Sequence, residues 1–370
     1  MTSVRFLNGL TTNGGNIAEI ATTTSRILTD FGVAADLKGE TIDAAMASGK
    51  LPNLPALLHN TPDQFLHEAI VITHLHRGHS GALPYLNSTI PVYMSPQSLA
   101  LYQALGLPLT NNLHALPLET PLAIGDLTVT GFASDHSEPG TMAVMIEDRE
   151  HAYLNSGDVR LNGPHADCVK HWVQVAKQRR VKMLLLEATA FGSAAQPAAL
   201  TEAGLQQAFA HQLATVDGLV AFDADVTNWA RLAAFQTTAH ALGRQVIWSK
   251  QTAQVLQVMA KLALDSPAAD WRAHPQQYVI EAAAAANVPI SKYVQTSSTP
   301  ALLNGPICRL QGQAHATADE LITLCKQIAP QIVVPWHTKA PQAAADALDT
   351  ATLAEVLLPE RELYYTVDVD

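Results

Sequence analysis

Through the first half of the chain, apolar residues come in short β-prone runs rather than long helical stripes. Residues 4–6, 11–16, 17–20 and 26–30 alternate with Gly and Asn, a rhythm that predicts a β-meander with tight turns. Further runs follow at 69–73, 91–93, 127–132, 141–146, 151–155 and 183–186, and several end immediately before a His, Asp or Glu. Polar side chains that follow buried strands sit at a sheet edge, where different strands deliver them to one cleft.

From about Ala190 to Gly305 the texture changes to Ala-, Gln- and Leu-rich stretches at helical spacing, broken by strand-like runs at 218–222 and 245–248. Asp225 or Thr227 is positioned to cap a helix running through Ala241, and Gly243 to stop it. This part reads as an α/β insertion. After it, 320–328 reads as a helix and 331–335 as a strand leading into His337, with no internal repeat or low-complexity tract anywhere.

Composition narrows the function classes. At 370 residues and 48% hydrophobic content the chain buries a large core, and its size suggests two lobes. A charged fraction of 15%, a net charge of −11 and a mean hydropathy of +0.08 exclude a disordered chain and a general polyanion binder, so any nucleic-acid contact is local. Residues 1–10 carry one Arg and no long apolar run, which fits neither a signal nor a transit peptide, and no stretch suggests a membrane span. The expected location is the cytoplasm. Cys168, Cys308 and Cys325 are scattered without CxxC spacing, arguing against a disulfide framework or a thiolate zinc site.

The strongest chemical signal lies at 71–85, where His74, His76 and His79 fall within six residues in a loop leaving a strand. There His74 and His76 face one ion while His79, opening the next element, faces a second; neutral imidazoles suit zinc or manganese, with carboxylates completing such sites. Taken alone, the window could also be a solvated His-rich loop. It is joined by His136 in Ser-Asp-His-Ser-Glu-Pro-Gly, Asp158 in Asn-Ser-Gly-Asp-Val-Arg, and His337 in Val-Pro-Trp-His-Thr, each at the end of an expected strand.

In this order the segments resemble the successive metal motifs of metallo-β-lactamase-fold hydrolases. Thr-His-Leu-His-Arg-Gly-His followed by Gly-Ala-Leu-Pro-Tyr is similar to ribonuclease J and to the endonuclease of pre-mRNA 3′ end processing. His136 and Asp158 match the third and fourth motifs, and Asp30 in Leu-Thr-Asp-Phe-Gly fits the first, whose family role is to support the loop. Glu187, His315 and His337 resemble motifs A, B and C of the β-CASP branch, which acts on nucleic acids. The resemblance implies an α/β fold: a metallo-β-lactamase αβ/βα four-layer sandwich with a compact β-CASP-like α/β insertion. Residues 1–189 and 306–370 would form the sandwich and 190–305 the insertion, with the cleft where the two meet.

The family pattern also assigns roles. The first ion takes the equivalents of His74, His76 and His136, the second takes His79, His337 and an Asp, and Asp158 bridges both. In this chain that Asp is Gly78, which has no ligating side chain, so one ion is expected rather than two, Zn2+ or Mn2+. His315 would donate to the scissile phosphate or the leaving oxygen and Glu187 would orient a neighbour; the plainer alternatives are a surface helix cap for His315 and a simple ion pair for Glu187. Arg77 and Arg160 flank the expected cleft as phosphate contacts or salt bridges.

Three functions fit. The first is a ribonuclease J-like, metal-dependent phosphodiesterase acting on RNA. The second is a non-catalytic family member that binds RNA or a partner nuclease. The third is a hydrolase of a small ester or phosphodiester. A homo-oligomer is compatible with the fold but is supported by no residue.

Overall fold

Alternation along the strands decides the layering. The computed structural model describes residues 1–37, 39–108, 112–192, 199–223, 225–285, 288–296 and 306–366. Strands β1 (Ser3–Asn8), β2 (Ile17–Ala21), β3 (Ser25–Thr29), β4 (His67–Ile72), β5 (Pro91–Met94) and β6 (Asn112–Ala115) build a first sheet. A second sheet is begun by β7 (Leu122–Ile124), β8 (Leu127–Ala133), β9 (Met142–Glu147), β10 (Ala152–Asn155) and β11 (Met183–Glu187). A third, wholly parallel, contains β12 (Val220–Phe222), β13 (Gln245–Ile247), β14 (Tyr278–Glu281), β15 (Lys292–Gln295) and β16 (Ile307–Arg309). The chain then returns, adding β17 (Ile332–Trp336) beside β11, β18 (Glu355–Val356) beside β17, and β19 (Tyr364–Thr366) beside β1.

In β4, Ala69 and Val71 point into the layer between the first two sheets while Ile70 and Ile72 point outward. In β11, Met183 and Leu185 face that same layer while Leu184 and Leu186 face away. This period of two is what a strand buried on both faces requires. The outer face of the first sheet is covered by α1 (Ile42–Ala47), α2 (Pro55–Leu58) and α4 (Pro96–Ala104), with α3 (Arg77–Ser80) at its edge. The outer face of the second is covered by α5 (Ala166–Arg179), α9 (Ala318–Ile328) and α10 (Pro341–Ala351). The result is helix, sheet, sheet, helix: the αβ/βα sandwich of a metallo-β-lactamase fold.

The third sheet carries α6 (Glu202–Thr215), α7 (Trp229–Ala241) and α8 (Lys250–Met259) on one face, where Phe209, Phe222 and Phe235 interlock, with ring centroids of Phe209 and Phe235 4.1 Å apart. It is tied to the sandwich by charge. Arg160, which follows β10, donates to Asp135 and to Glu202 at the start of α6, and Glu202 also accepts two bonds from Arg231 of α7. Burial works to raise the Glu202 pKa, but the two guanidiniums outweigh it and hold it down at about 2. The salt-bridge reading of Arg160 is therefore the one realised.

Most expected elements are present, including the antiparallel meander β1–β2–β3. Residues 11–16 are a correction: they form the loop between β1 and β2, because Gly14 and Gly15 adopt φ of +113° and +75°, outside any strand conformation. A second concerns α7, which is capped by Asn228, accepting from Arg231 N, rather than by Asp225 or Thr227. Its stop is as expected, with Gly243 at φ +71°. The expected insertion limit at Gly305 lies outside the described residues. No helix of the described residues is long and apolar enough to cross a membrane.

Candidate metal centre

Six loops and strand ends deliver the chemistry to one edge of the sandwich. His74 follows β4, His76 caps α3 and His79 lies within it; His136 follows β8 and Asp158 follows β10. Glu187 ends β11, His315 precedes α9, and His337 follows β17. A capping box, in which Thr317 and Glu320 exchange hydrogen bonds, fixes the α9 start just beyond His315, a device worth about 1 kcal/mol. His74, His76, His136 and Asp158 offer atoms that all lie within 4.8 Å of one another; so do His79, Asp158 and His337, and so do Asp158, Glu187 and His315. The structure thus brings the six residues expected to bind metal, with His315 and Glu187, into three groups that share Asp158.

Hydrogen bonding fixes which nitrogen of each ring carries the proton. Thr73 Oγ1 donates to Asp30 Oδ1 over 2.9 Å, so toward His74 Nδ1, 3.1 Å away, it accepts. His74 Nε2 is left with its lone pair. His136 Nδ1 donates to Ala314 O at 2.8 Å, His79 Nδ1 to Asp30 Oδ2 at 2.9 Å, and His337 Nδ1 to Asn16 Oδ1 at 2.7 Å. The Nε2 atoms of His74, His136 and His337 therefore face the cluster as acceptors, and that of His79 faces it too, the arrangement in which outer hydrogen bonds orient imidazole ligands. Asp30 does double service, holding His79 and, through Thr73, His74, which is the supporting role the resemblance implied.

The nitrogens converge closely. His76 Nδ1 lies 3.1 Å from His74 Nε2 and 3.1 Å from His136 Nε2. A tetrahedral ion bonded about 2.0 Å from each imidazole sets such nitrogens about 3.3 Å apart, so the donor set fits zinc. Burial keeps His74 and His136 well below the usual imidazole range, in the neutral form a ligand needs. Burial would raise Asp158, but His337, His79 and His74 hold it well below the usual carboxylate range. Its Oδ2 lies 3.5 Å from His74 Nε2 and 3.7 Å from His136 Nε2, and its Oδ1 lies 3.2 Å from His79 Nε2. The carboxylate stands between the two His groups.

The second group also asks for positive charge. Among the described residues, His79 Nε2 and Asp158 Oδ1 are buried 3.2 Å apart and have no partner but each other. Burial opposes charge on His79, yet Asp158 and Asp30 push it up to about 10; the field that favours a proton there favours a divalent cation beside it. His337, lowered to about 4 by burial, is neutral.

Gly78 stands at the edge of this second group: a Cβ built on it would lie 3.5 Å from His337 Cε1 but 2.8 Å from Gly14 Cα. Gly32 packs equally hard, its virtual Cβ 1.7 Å from Gly78 O. Gly14 and Gly32 both pack against Gly78, and the space a side-chain stem at Gly78 would enter is taken by the main chain of Gly14. Gly78→Asp is accordingly expected to destabilise the protein by about 1–3 kcal/mol through overpacking, read as a lowered melting temperature in the metal-free protein. An unchanged or raised melting temperature would show that the Gly14 loop yields freely.

Four contributors carry no ligand signal in the sequence. Asn16 orients His337, and Thr73 orients His74. Glu138, two residues beyond His136, accepts from Leu75 N at 2.8 Å and so braces the ligand loop; burial pushes its carboxyl up to about 7. Thr227 Oγ1 lies 3.2 Å from His76 Nε2. Beside the cluster opens a cavity of about 660 Å³, lined by His136, Ser137 and Glu138 from the sandwich and by Glu202, Trp229 and Arg231 from the third-sheet region. Acidic position after a motif His was the available signal for Glu138; nothing local marked the others.

No family model matches the chain. Ribonuclease J 1 of Streptococcus pyogenes is 30% identical over 101 residues, 26% of this chain and 18% of its own length. Ribonuclease J of Sinorhizobium meliloti is 26% identical over 221 residues, 53% of this chain and 37% of its own. These matches span about a fifth to two fifths of the relatives' length. A solved protein of unknown function from Enterococcus faecalis shares the fold, with a TM-score of 0.83 and 21% identity over 99% of this chain and 100% of its own. YhfI from Bacillus subtilis, described as a metallo-beta-lactamase fold protein, aligns more loosely, with a TM-score of 0.49 and 12% identity over 99% of this chain and 100% of its own.

Proposed function

We propose that this chain, a ribonuclease J-like protein of the metallo-β-lactamase fold, is a metal-dependent phosphodiesterase acting on RNA in the cytoplasm. The observation that supports the reading most is the convergence of five imidazoles on Asp158 beside a cavity that His136 lines, with His315 and Glu187 adjacent. His74, His76 and His136 with Asp158 are the proposed ligands of one resident ion, Zn2+ or Mn2+. His79 and His337 form a weaker second site with the same Asp158. An ion held by these residues would supply Lewis acidity, enough to make hydroxide available near neutrality.

The protein's own groups do the rest. His315 Nδ1 donates to Glu187 Oε1 at 3.1 Å, while Glu187 also accepts from Val159 N and Thr189 N. Burial works against charge on His315, but Glu187 pushes its pKa up to about 9, so near neutrality it carries the proton that a departing oxygen needs. In phosphodiester hydrolysis water adds to phosphorus and releases one proton to solvent, the P–O bond to the leaving oxygen breaks, and His315 protonates that oxygen and is itself reprotonated from solvent. Residues 1–189 and 306–370 form the proposed catalytic unit and 190–305 a β-CASP-like insertion that lines the cavity from the other side.

Gly78 favours one rival reading, a degenerate member that binds RNA or a partner nuclease without cleaving it; a hydrolase of a small ester or phosphodiester uses the same centre. Elemental mass spectrometry of the purified protein, paired with cleavage of end-labelled RNA, separates them. The expected result is about one ion per chain and RNA cleavage that a chelator abolishes. Salt-sensitive RNA binding without cleavage would establish the degenerate reading, and turnover of small esters without salt-dependent RNA binding the third.

A further inference from the structure

We infer that Thr227 and Asp225, which follow β12, are positioning residues for the metal centre, fixing His76 as the tautomer that aims Nδ1 at the ion. The inference rests on the reading of His74, His76 and His136 as ligands, and it extends that reading to residues outside the sandwich.

The argument is one of proton counting. A Thr hydroxyl has a single proton, and an ionised carboxylate only accepts. Thr227 Oγ1 lies 2.7 Å from Asp225 Oδ1, so its proton goes there. Toward His76 Nε2, 3.2 Å away, the same oxygen accepts, and the ring proton therefore sits on Nε2. Nδ1 keeps its lone pair, and it is Nδ1 that lies 3.1 Å from both His74 Nε2 and His136 Nε2. Asp225 Oδ2 stands 3.7 Å from His76 Nε2 and adds attraction to the orientation, while Thr227 N donates to Asp225 Oδ1 and holds the turn together.

His76 differs in this from its two companions. His74 is oriented through Thr73 and Asp30, and His136 by Ala314 O. His76 sits 28% exposed and takes its support from a residue 151 positions along the chain, in the connection from β12 of the third sheet to α7. Displacing that sheet would free the ring and misplace Nδ1. By linkage, an ion that holds His76 in place favours the docked third sheet by the same free energy.

Supporting hydrogen bonds of this kind are worth about 10–100-fold in metal affinity. The test is zinc affinity of the full chain by competition with a chromophoric chelator, with the melting temperature of each metal-free protein taken in parallel. Thr227→Val and Asp225→Asn should each weaken zinc by about 10–100-fold, Thr227→Ser should restore near-native affinity, and the metal-free melting temperatures should stay level. A purely structural role predicts the opposite pattern, lowered melting temperatures with unchanged affinity, and overturns the inference. Zinc binding by Thr227→Val within twofold of the native protein overturns it alone, leaving the ligand assignment standing. Failure of the native protein to take zinc removes both. None of these readouts depends on whether RNA is cleaved.

Discussion

Replacing Asp158 by Asn should lower RNA cleavage by about 10²–10³-fold or more and strip the protein of tightly held metal. The side chain is the one carboxylate shared by both His groups, with Oδ2 facing His74, His136 and His337 at 3.5–3.7 Å and Oδ1 facing His79 at 3.2 Å. Asn keeps the shape but not the charge, so the imidazoles lose the anion that makes a divalent cation welcome among them. Metal content and single-turnover cleavage, measured on the same preparation, check both parts. A variant that retains its ion and cleaves within a few-fold of the native rate would show that Asp158 is merely adjacent to the chemistry.

Replacing His315 by Gln should cost about 10²–10⁴-fold in turnover while leaving metal content unchanged, because the residue acts as a proton donor and lies outside the proposed ligand sets. Its pH signature has a definite sign. With Glu187 holding its pKa up at about 9, the imidazolium is present at neutrality and is lost as pH rises through that value, so kcat should fall on the alkaline side. Stability follows the same sign: the contribution of this pair is fully present below about 6.5, the ordinary His value, and is lost as pH rises through about 9. Glu187→Gln removes the anion that raises His315 and should draw the alkaline limb of kcat toward lower pH. An alkaline limb that stays where it is in Glu187→Gln assigns the limb to another group and removes His315 from the proton-donor role.

The fold and the candidate site are legible in the sequence where the signal is local. Strands such as β4 and β11 announce themselves because alternate residues serve two different cores, and both end at the polar residue that matters. His74, His76 and His79 are legible because one short loop carries all three. The third sheet was half hidden. Lys292–Gln295 and Ile307–Arg309 are too short to establish a period, and Tyr278–Glu281 runs into five alanines that read as helix. Asp225 and Thr227 read as caps in the sequence because both types cap helices well; the hydroxyl and carboxylate are instead engaged with each other and with His76, and Asn228 forms the cap. Nor did any local pattern link Asn16 to His337, since their bond closes over 321 positions.

That last contact carries a consequence for biosynthesis. His74, His76, His136 and Asp158 have all emerged once the first 158 residues are made, whereas His337 arrives on β17, which pairs with β11 only after the third sheet has been synthesised. At about 5–20 residues per second the two events are separated by roughly ten to forty seconds, long compared with the collapse of a small domain. The order of translation thus makes the proposed ligands of one ion first, ahead of Thr227 and Ala314 that orient two of them, and leaves β11 waiting as an open edge until β17 closes it. In that interval the unpaired strand is the part of the nascent chain most exposed to wrong partners.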